Sequence, residues 1–248
     1  MKLTTFYRIY YRHRIKKASH VLKIYLIITV FFKYIFNLFY LPKTKNLDVA
    51  FSSQTVYVQN ITPLKLLSQM HQENFQPNHI LDLCASPGGK TLALAKLYPH
   101  AQLYSNDVSQ KKIDRLKSNM EKYQVSTNLS MHRGELFPFS KQYDLIVADL
   151  PCSNSGVFNK RPEARWRYTT QSMEELFALQ MKILENAIQG VKKNGELWVM
   201  TCSFLDCENE RLIESLCRKL PLRVRVKKKI LPSDYGEDGG FACALQHL

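Results

Sequence analysis

Apolar positions along this chain fall into short and long runs, and their alternation predicts the architecture. Ile80–Cys84, Gln102–Asp107, Leu129–His132, Tyr143–Ala148 and Glu196–Thr201 are short and largely apolar, the pattern of strands buried on both faces. Between them lie segments with apolar residues at helical spacing. They are Leu92–Leu97, Gln110–Tyr123, Ser172–Gly190 (Leu176, Leu179, Ile183 and Ala187 on one face) and a stretch from Asp206 through Leu220. Thr62 as cap and Pro63 at the first position start a helix through Met70, and Gly190 or Gly195 closes the long one. Asp206 caps its helix, with Glu208 and Glu210 favourable in the first turn. Thr55–Val58 reads as a short strand, and Arg223–Lys229 and Phe241–Leu245 as the last two. This alternation predicts an α/β domain with a mostly parallel sheet and a ligand site beyond the strand C-termini.

The predicted strand tips carry the residues that could do chemistry. After Ile80–Cys84 comes a turn holding Pro87, Gly88 and Gly89, with Lys90-Thr91 leading into the next helix. Such a turn lets backbone N–H groups and a helix N-terminus approach a nucleotide-like ligand, although it fits neither the dinucleotide fingerprint nor the P-loop. Tight packing of an ordinary strand–helix turn explains it equally well. Asp107 ends the next strand about 20 residues on, where a carboxylate can accept both ribose hydroxyls of a nucleoside. Asp107 or Ser109 serves equally as the cap of the following helix. Cys152 and Cys202 each follow a strand and enter a polar turn, and Asp149 precedes the first of them. Cys207, Cys217 and Cys243 read as core residues.

Charge changes the picture at the N-terminus. The formal net charge is +14. No acidic residue precedes Asp48, whereas Lys2, Arg8, Arg12, Arg14, Lys16, Lys17, Lys23, Lys33, Lys43 and Lys45 do. Residues 1–47 therefore stand apart from a domain covering 48–248, and a polyanionic partner, nucleic acid or lipid surface, is expected. Val21–Leu41 has the length of a membrane helix, with Lys33 inside it. It reads as a membrane-associated helix, as a helix packing on the domain or holding RNA, or as an extension without a folded role. The six cysteines form no CxxC pair and no metal-ligand spacing with His, so no metal is expected.

Taken together, four motifs resemble the RsmB/Sun-type RNA (cytosine-5)-methyltransferases. They are LDLCASPGGKT, SNDVSQKKIDRLKSNM, DLPCSNSGVFNKRPEARW and TCSFLDCENE, followed by DGGFACAL, and they run from about Val58 to Leu248. The resemblance implies a Rossmann-like class I methyltransferase fold, with a mostly parallel seven-stranded sheet and helices on both faces. It implies S-adenosyl-L-methionine as cofactor, held by Cys84, Ala85, Ser86, Pro87, Gly88, Gly89 and Lys90. Asp107 would take the ribose, Glu135 would lie near the adenine, and Asp149 would hold the base near the cofactor. Glu135 departs from the family's usual Asp, and Asn154 from its usual small residue. Cys202 would be the nucleophile and Cys152 would assist product release. Lys160, Arg161, Arg165, Trp166 and Arg167 would contact RNA, ribosomal or transfer, in single-stranded or loop regions. Cysteines inside chemical-looking motifs fit a reducing, cytoplasmic setting, with attachment to the cytoplasmic side of a membrane as the alternative, and a monomer is expected.

Overall fold

The computed structural model describes residue 57 and residues 59–167, 169–233 and 237–248. Val21–Leu41, and all of the proposed strand at 55–58 except Tyr57, lie outside the described residues. Tyr57 itself is in neither helix nor strand.

Five α-helices and seven strands frame the described residues. In order they are α1 (Ile61–Met70), β1 (His79–Asp82), α2 (Gly89–Leu97), β2 (Gln102–Asp107), α3 (Gln110–Lys122), β3 (Asn128–Met131), β4 (Tyr143–Asp149), α4 (Thr170–Ala187), β5 (Val191–Thr201), α5 (Glu210–Lys219), β6 (Leu222–Ile230) and β7 (Gly240–His247). One sheet joins the strands in the order β3-β2-β1-β4-β5-β7-β6. β7 alone runs against its neighbours, antiparallel to both β5 and β6. Reversal places the start of β7 beside the end of β5, with Phe241 opposite Thr201.

Alternation along the strands sorts the core into layers. Leu81, Leu83, Ile146, Ala148, Leu197, Val199, Phe241 and Cys243 join Met181, Ile183 and Leu184 of α4 and Leu212, Ile213 and Leu216 of α5 in one buried cluster. Intervening positions such as Ile80, Leu145, Val147 and Trp198 are also fully buried. Trp198 meets Tyr98, at the end of α2, with ring centroids 6.4 Å apart. Both faces of the central strands are thus covered, as their near-continuous apolar runs require, while the edge strands β3 and β6 stay partly exposed.

Two helix starts differ from the sequence expectation. Asn60, not Thr62, caps α1 by accepting the Thr62 N–H at 3.0 Å, and the Thr62 hydroxyl donates to the Asp238 carbonyl at 2.7 Å. Asp206 does not cap a long helix; Asp206–Glu208 forms a single 3-10 turn and α5 begins at Glu210. Glu208 lies 1% exposed rather than in a solvated first turn. The tertiary contacts of Glu208 outweigh the helix-terminus preference of an acid, which is worth only about 0.3–1 kcal/mol.

Candidate active site

Parallel strands bring the expected residues to one edge of the sheet. Asp82 ends β1, Asp107 ends β2, Asp149 ends β4, and Cys202 follows the last residue of β5. The glycine turn between β1 and α2 places Gly88 at φ +109°, a left-handed conformation that L side chains rarely adopt. Asp107, 3% exposed, braces that turn: its carboxylate accepts the Ser86 N–H at 2.9 Å and the Val108 N–H at 2.7 Å, and Lys112 pairs with it at 2.9 Å. Ser109 occupies the N-cap position of α3 without a side-chain cap bond.

Asp82 is buried behind the turn. One carboxylate oxygen accepts the Thr91 hydroxyl at 2.7 Å, and the other has no partner. Burial drives its pKa up to about 7, against the Thr91 hydrogen bond and the Lys90 charge, which pull it down. An acid whose folded value exceeds its unfolded value near 4 costs stability as pH rises between the two. At pH 8 the cost is about 4 kcal/mol by linkage. Asp82→Asn keeps the bond to Thr91 and removes this charge. Denaturant titrations should show the variant more stable than the parent at pH 8, and less dependent on pH between 4 and 7. Equal curves would mean that Asp82 ionises freely.

Beside the turn lies a pocket of about 70 Å³ lined by Lys90, Asp149, Cys202 and Thr201, by Thr62 and Leu66 of α1, and by Gly239 and Gly240 at the start of β7. Lys90 Nζ donates to Asp149 Oδ2 at 2.6 Å, with side chains 18% and 30% exposed. Burial lowers the Lys90 pKa, but the Asp149 charge, their hydrogen bond and Asp82 outweigh it, and the net shift is upward. Lys90 is therefore a fixed cation in a half-closed site.

Cys202 of this pocket meets Cys152. Cys152 Sγ lies 3.0 Å from Cys202 Sγ, both as free thiols. The hydrogen bond to Cys202, then burial, then the charges of Cys202 and Asp149 hold the Cys152 pKa well above the usual thiol value. Cys152 accordingly keeps its proton at neutral pH and can donate it toward Cys202. Asn154 sits in the left-handed region at φ 62°; its amide donates to the Cys152 carbonyl at 3.0 Å and its oxygen lies 3.2 Å from Cys202 Sγ. Gly156 then fixes the loop. A Cβ there would come within 2.5 Å of the Gly239 carbonyl oxygen and 2.7 Å of that of Cys202.

Other expected residues are placed less directly. Burial drives the Cys84 thiol far up, so it acts as packing beside the turn. The Glu135 carboxylate pairs with Arg133 at 2.5 Å and borders an open groove along α4. In the basic loop, Lys160 pairs with Asp238 at 2.7 Å, Arg165 lies over the Phe158 ring at 5.3 Å, Arg161 is exposed and Trp166 is 87% exposed. Arg167 ends the 3-10 segment Pro162–Arg167. Glu208 was missed as a site residue, since an acid near a helix start already has an explanation. The serine after each cysteine is the available signal, because two inward hydroxyls call for a shared buried acceptor. Among the described residues no group of three or more His, Cys, Asp or Glu is placed to hold a metal.

The strand order, the single reversed strand and the glycine turn followed by an acid define a Rossmann-like methyltransferase fold. A family model described as 16S rRNA methyltransferase RsmB/F matches residues 69–246, and the chain belongs to that family. Ribosomal RNA small subunit methyltransferase B of Photorhabdus laumondii subsp. laumondii is 32% identical over 177 residues, 67% of this chain and 41% of that protein. The protein of the same name from Klebsiella pneumoniae subsp. pneumoniae is 33% identical over 175 residues, 69% of this chain and 40% of that one. The chain thus spans about two fifths of the length of these curated relatives. Among solved structures, PH0851 superposes with a TM-score of 0.73 at 26% identity, covering 82% of this chain and 50% of that one. NSun6 from Pyrococcus horikoshii with SFG gives 0.68 at 21%, covering 84% and 56%, which bears on the fold alone.

Proposed function

We propose that residues 48–248 form a catalytic unit that methylates carbon 5 of a cytosine in RNA, ribosomal RNA being the substrate named for the family. The observation that carries this reading is the pair of thiols 3.0 Å apart beside a pocket holding Lys90 and Asp149. A methyl acceptor at oxygen or nitrogen gives no reason for two cysteines. Carbon 5 is a poor nucleophile until the ring is activated. Addition of the Cys202 thiolate to carbon 6 breaks the aromatic system and moves an electron pair toward carbon 5. Asp149 holds the base through its exocyclic amine, and the Lys90 cation beside it offsets the negative charge that develops on the ring nitrogen. S-adenosylmethionine, when bound, supplies the methyl group. Water takes the carbon 5 proton, the carbon 5–carbon 6 double bond re-forms and Cys202 leaves as thiolate, which the protonated Cys152 alongside can receive by hydrogen bonding.

The turn fits such a cofactor. Asp82 offers an unpartnered buried oxygen, Asp107 ends β2 where a carboxylate can take a ribose, and the left-handed Gly88 opens the backbone before α2. Asp107 also holds the Ser86 N–H, so Asp107→Ala should both weaken S-adenosylmethionine binding at least tenfold and lower the melting temperature. One charge-assisted hydrogen bond is worth about 1.5–3 kcal/mol. Calorimetry showing undiminished affinity would move the ribose elsewhere. Exposed Arg161, Arg165 and Trp166, with Lys160, suit phosphate contacts and stacking on an unpaired base. The reading is tested by methyl transfer from labelled S-adenosylmethionine to small-subunit rRNA, with 5-methylcytosine mapped at single-nucleotide resolution. Cofactor binding without any transfer would make the chain a binding protein instead.

A further inference from the structure

We propose that Glu208 is the positioning residue that sets the distance between the two thiols. This rests on the reading of Cys152 and Cys202 as the reacting pair. Each cysteine is followed by a serine, and Glu208 gathers both serines. Its Oε1 accepts the Ser153 N–H at 2.7 Å, while its Oε2 accepts the Ser153 hydroxyl at 2.5 Å and the Ser203 hydroxyl at 2.5 Å. Gln180 of α4, fully buried, reaches the same carboxylate at 3.4 Å and donates to the Pro151 carbonyl at 2.9 Å. The Ser155 and Ser203 hydroxyls, 2.8 Å apart, complete the bridge between the loops. Glu208 is held in place from the other side. Asn209 accepts the Thr201 hydroxyl at 2.7 Å and donates to the Ser203 carbonyl at 3.0 Å.

A carboxylate is the right group for this task. Three donors from two loops converge on two oxygens, and a neutral acceptor would satisfy them less well. No ion pair involves Glu208 among the described residues, so those donors are what compensates its buried charge. Separation of the loops would leave donors and acceptor buried and unpaired together. The thiols are therefore kept at 3.0 Å by a feature that touches neither sulfur.

The test reads that distance directly. The full-length protein is treated with diamide, which takes two hydrogens from a thiol pair and leaves a disulfide and the reduced hydrazine. The Cys152–Cys202 peptide pair is then followed by mass spectrometry. The parent should join these two cysteines ahead of any other pair. Glu208→Gln keeps the volume but brings an NH₂ among the donors, and should slow the joining at least tenfold at a near-parental melting temperature. Its kcat for methyl transfer to a small-subunit rRNA transcript should fall by a similar factor, with KM within twofold. Ser153→Ala and Ser203→Ala each cut one tie and should slow the joining less, which keeps the test available if Glu208→Gln does not fold. Parental joining rates in a folded Glu208→Gln, in both serine variants, or a change confined to KM, would overturn the proposal. Joining that slows as expected while Cys202→Ala still methylates RNA would instead leave Glu208 as the tie and refute the catalytic reading.

Discussion

Cys202→Ala is expected to abolish methyl transfer and to form no covalent complex with RNA, whereas Cys152→Ala should trap one. Without Cys202 no thiolate reaches carbon 6, and activation of carbon 5 is lost entirely. A fall of at least 10³-fold, equivalent to about 4 kcal/mol of transition-state stabilisation, is the expected scale. Without Cys152 the attack still proceeds but release stalls, so protein linked to methylated RNA should accumulate. It would run as a slow band on a denaturing gel that nuclease collapses. The hydrogen bond to Cys202, and then burial, keep the Cys152 thiol protonated, so alkylating reagents at pH 8 should spare it in the free protein. Two partly active variants without adduct would reduce both cysteines to structural roles. An adduct with Cys202→Ala and none with Cys152→Ala would exchange the roles and keep the reaction.

The second large effect is expected at the Lys90–Asp149 pair. Asp149→Leu removes the acceptor 2.6 Å from a largely buried ammonium and leaves that charge without its closest partner. Breaking one side of such a pair costs about 3–5 kcal/mol when it is fully buried. The partial exposure of both side chains puts the expected loss at the lower end, about 3 kcal/mol. Lys90→Met should cost less, because Asp149 is the more exposed partner and can be hydrated. The double variant should regain most of the stability of the parent and none of its activity, since charge at the pocket is what the chemistry uses. Denaturant midpoints and methyl transfer, read side by side, separate the two effects. An active double variant would remove the pair from the mechanism.

Much of this was written in the pattern of the chain. β2 falls on the predicted residues, and β4 extends its prediction by one to include Asp149, because apolar runs bounded by turns leave little choice of register. Local patterns fared worse where a distant contact decides. Thr62 has the right chemistry for a cap, but Asp238, far along the chain, takes its hydroxyl and Asn60 caps instead. Asp206-Cys207-Glu208 has the acidic character of a first helical turn, yet the serines after both cysteines draw Glu208 inward and delay the helix to Glu210. In each case the deciding partner lies on another element, and single-segment reasoning has no access to it.

The reversed strand β7 divides the site by the span of chain that each half must close. The glycine turn is assembled by neighbours: Thr91 reaches Asp82 nine positions away, and the Ser86 N–H reaches Asp107 across 21. The far wall of the pocket depends instead on β7 meeting α1. There Lys65 pairs with Glu237 across 172 positions, Thr62 bonds Asp238 across 176, and the Asp238 N–H reaches Asn60 across 178. Loop-closure entropy rises with the logarithm of that span, and contacts of high order are the slow ones to form. Assembly of the glycine turn is thus a local event, while the thiol pocket gains its last wall only when the outermost elements of the described domain come together.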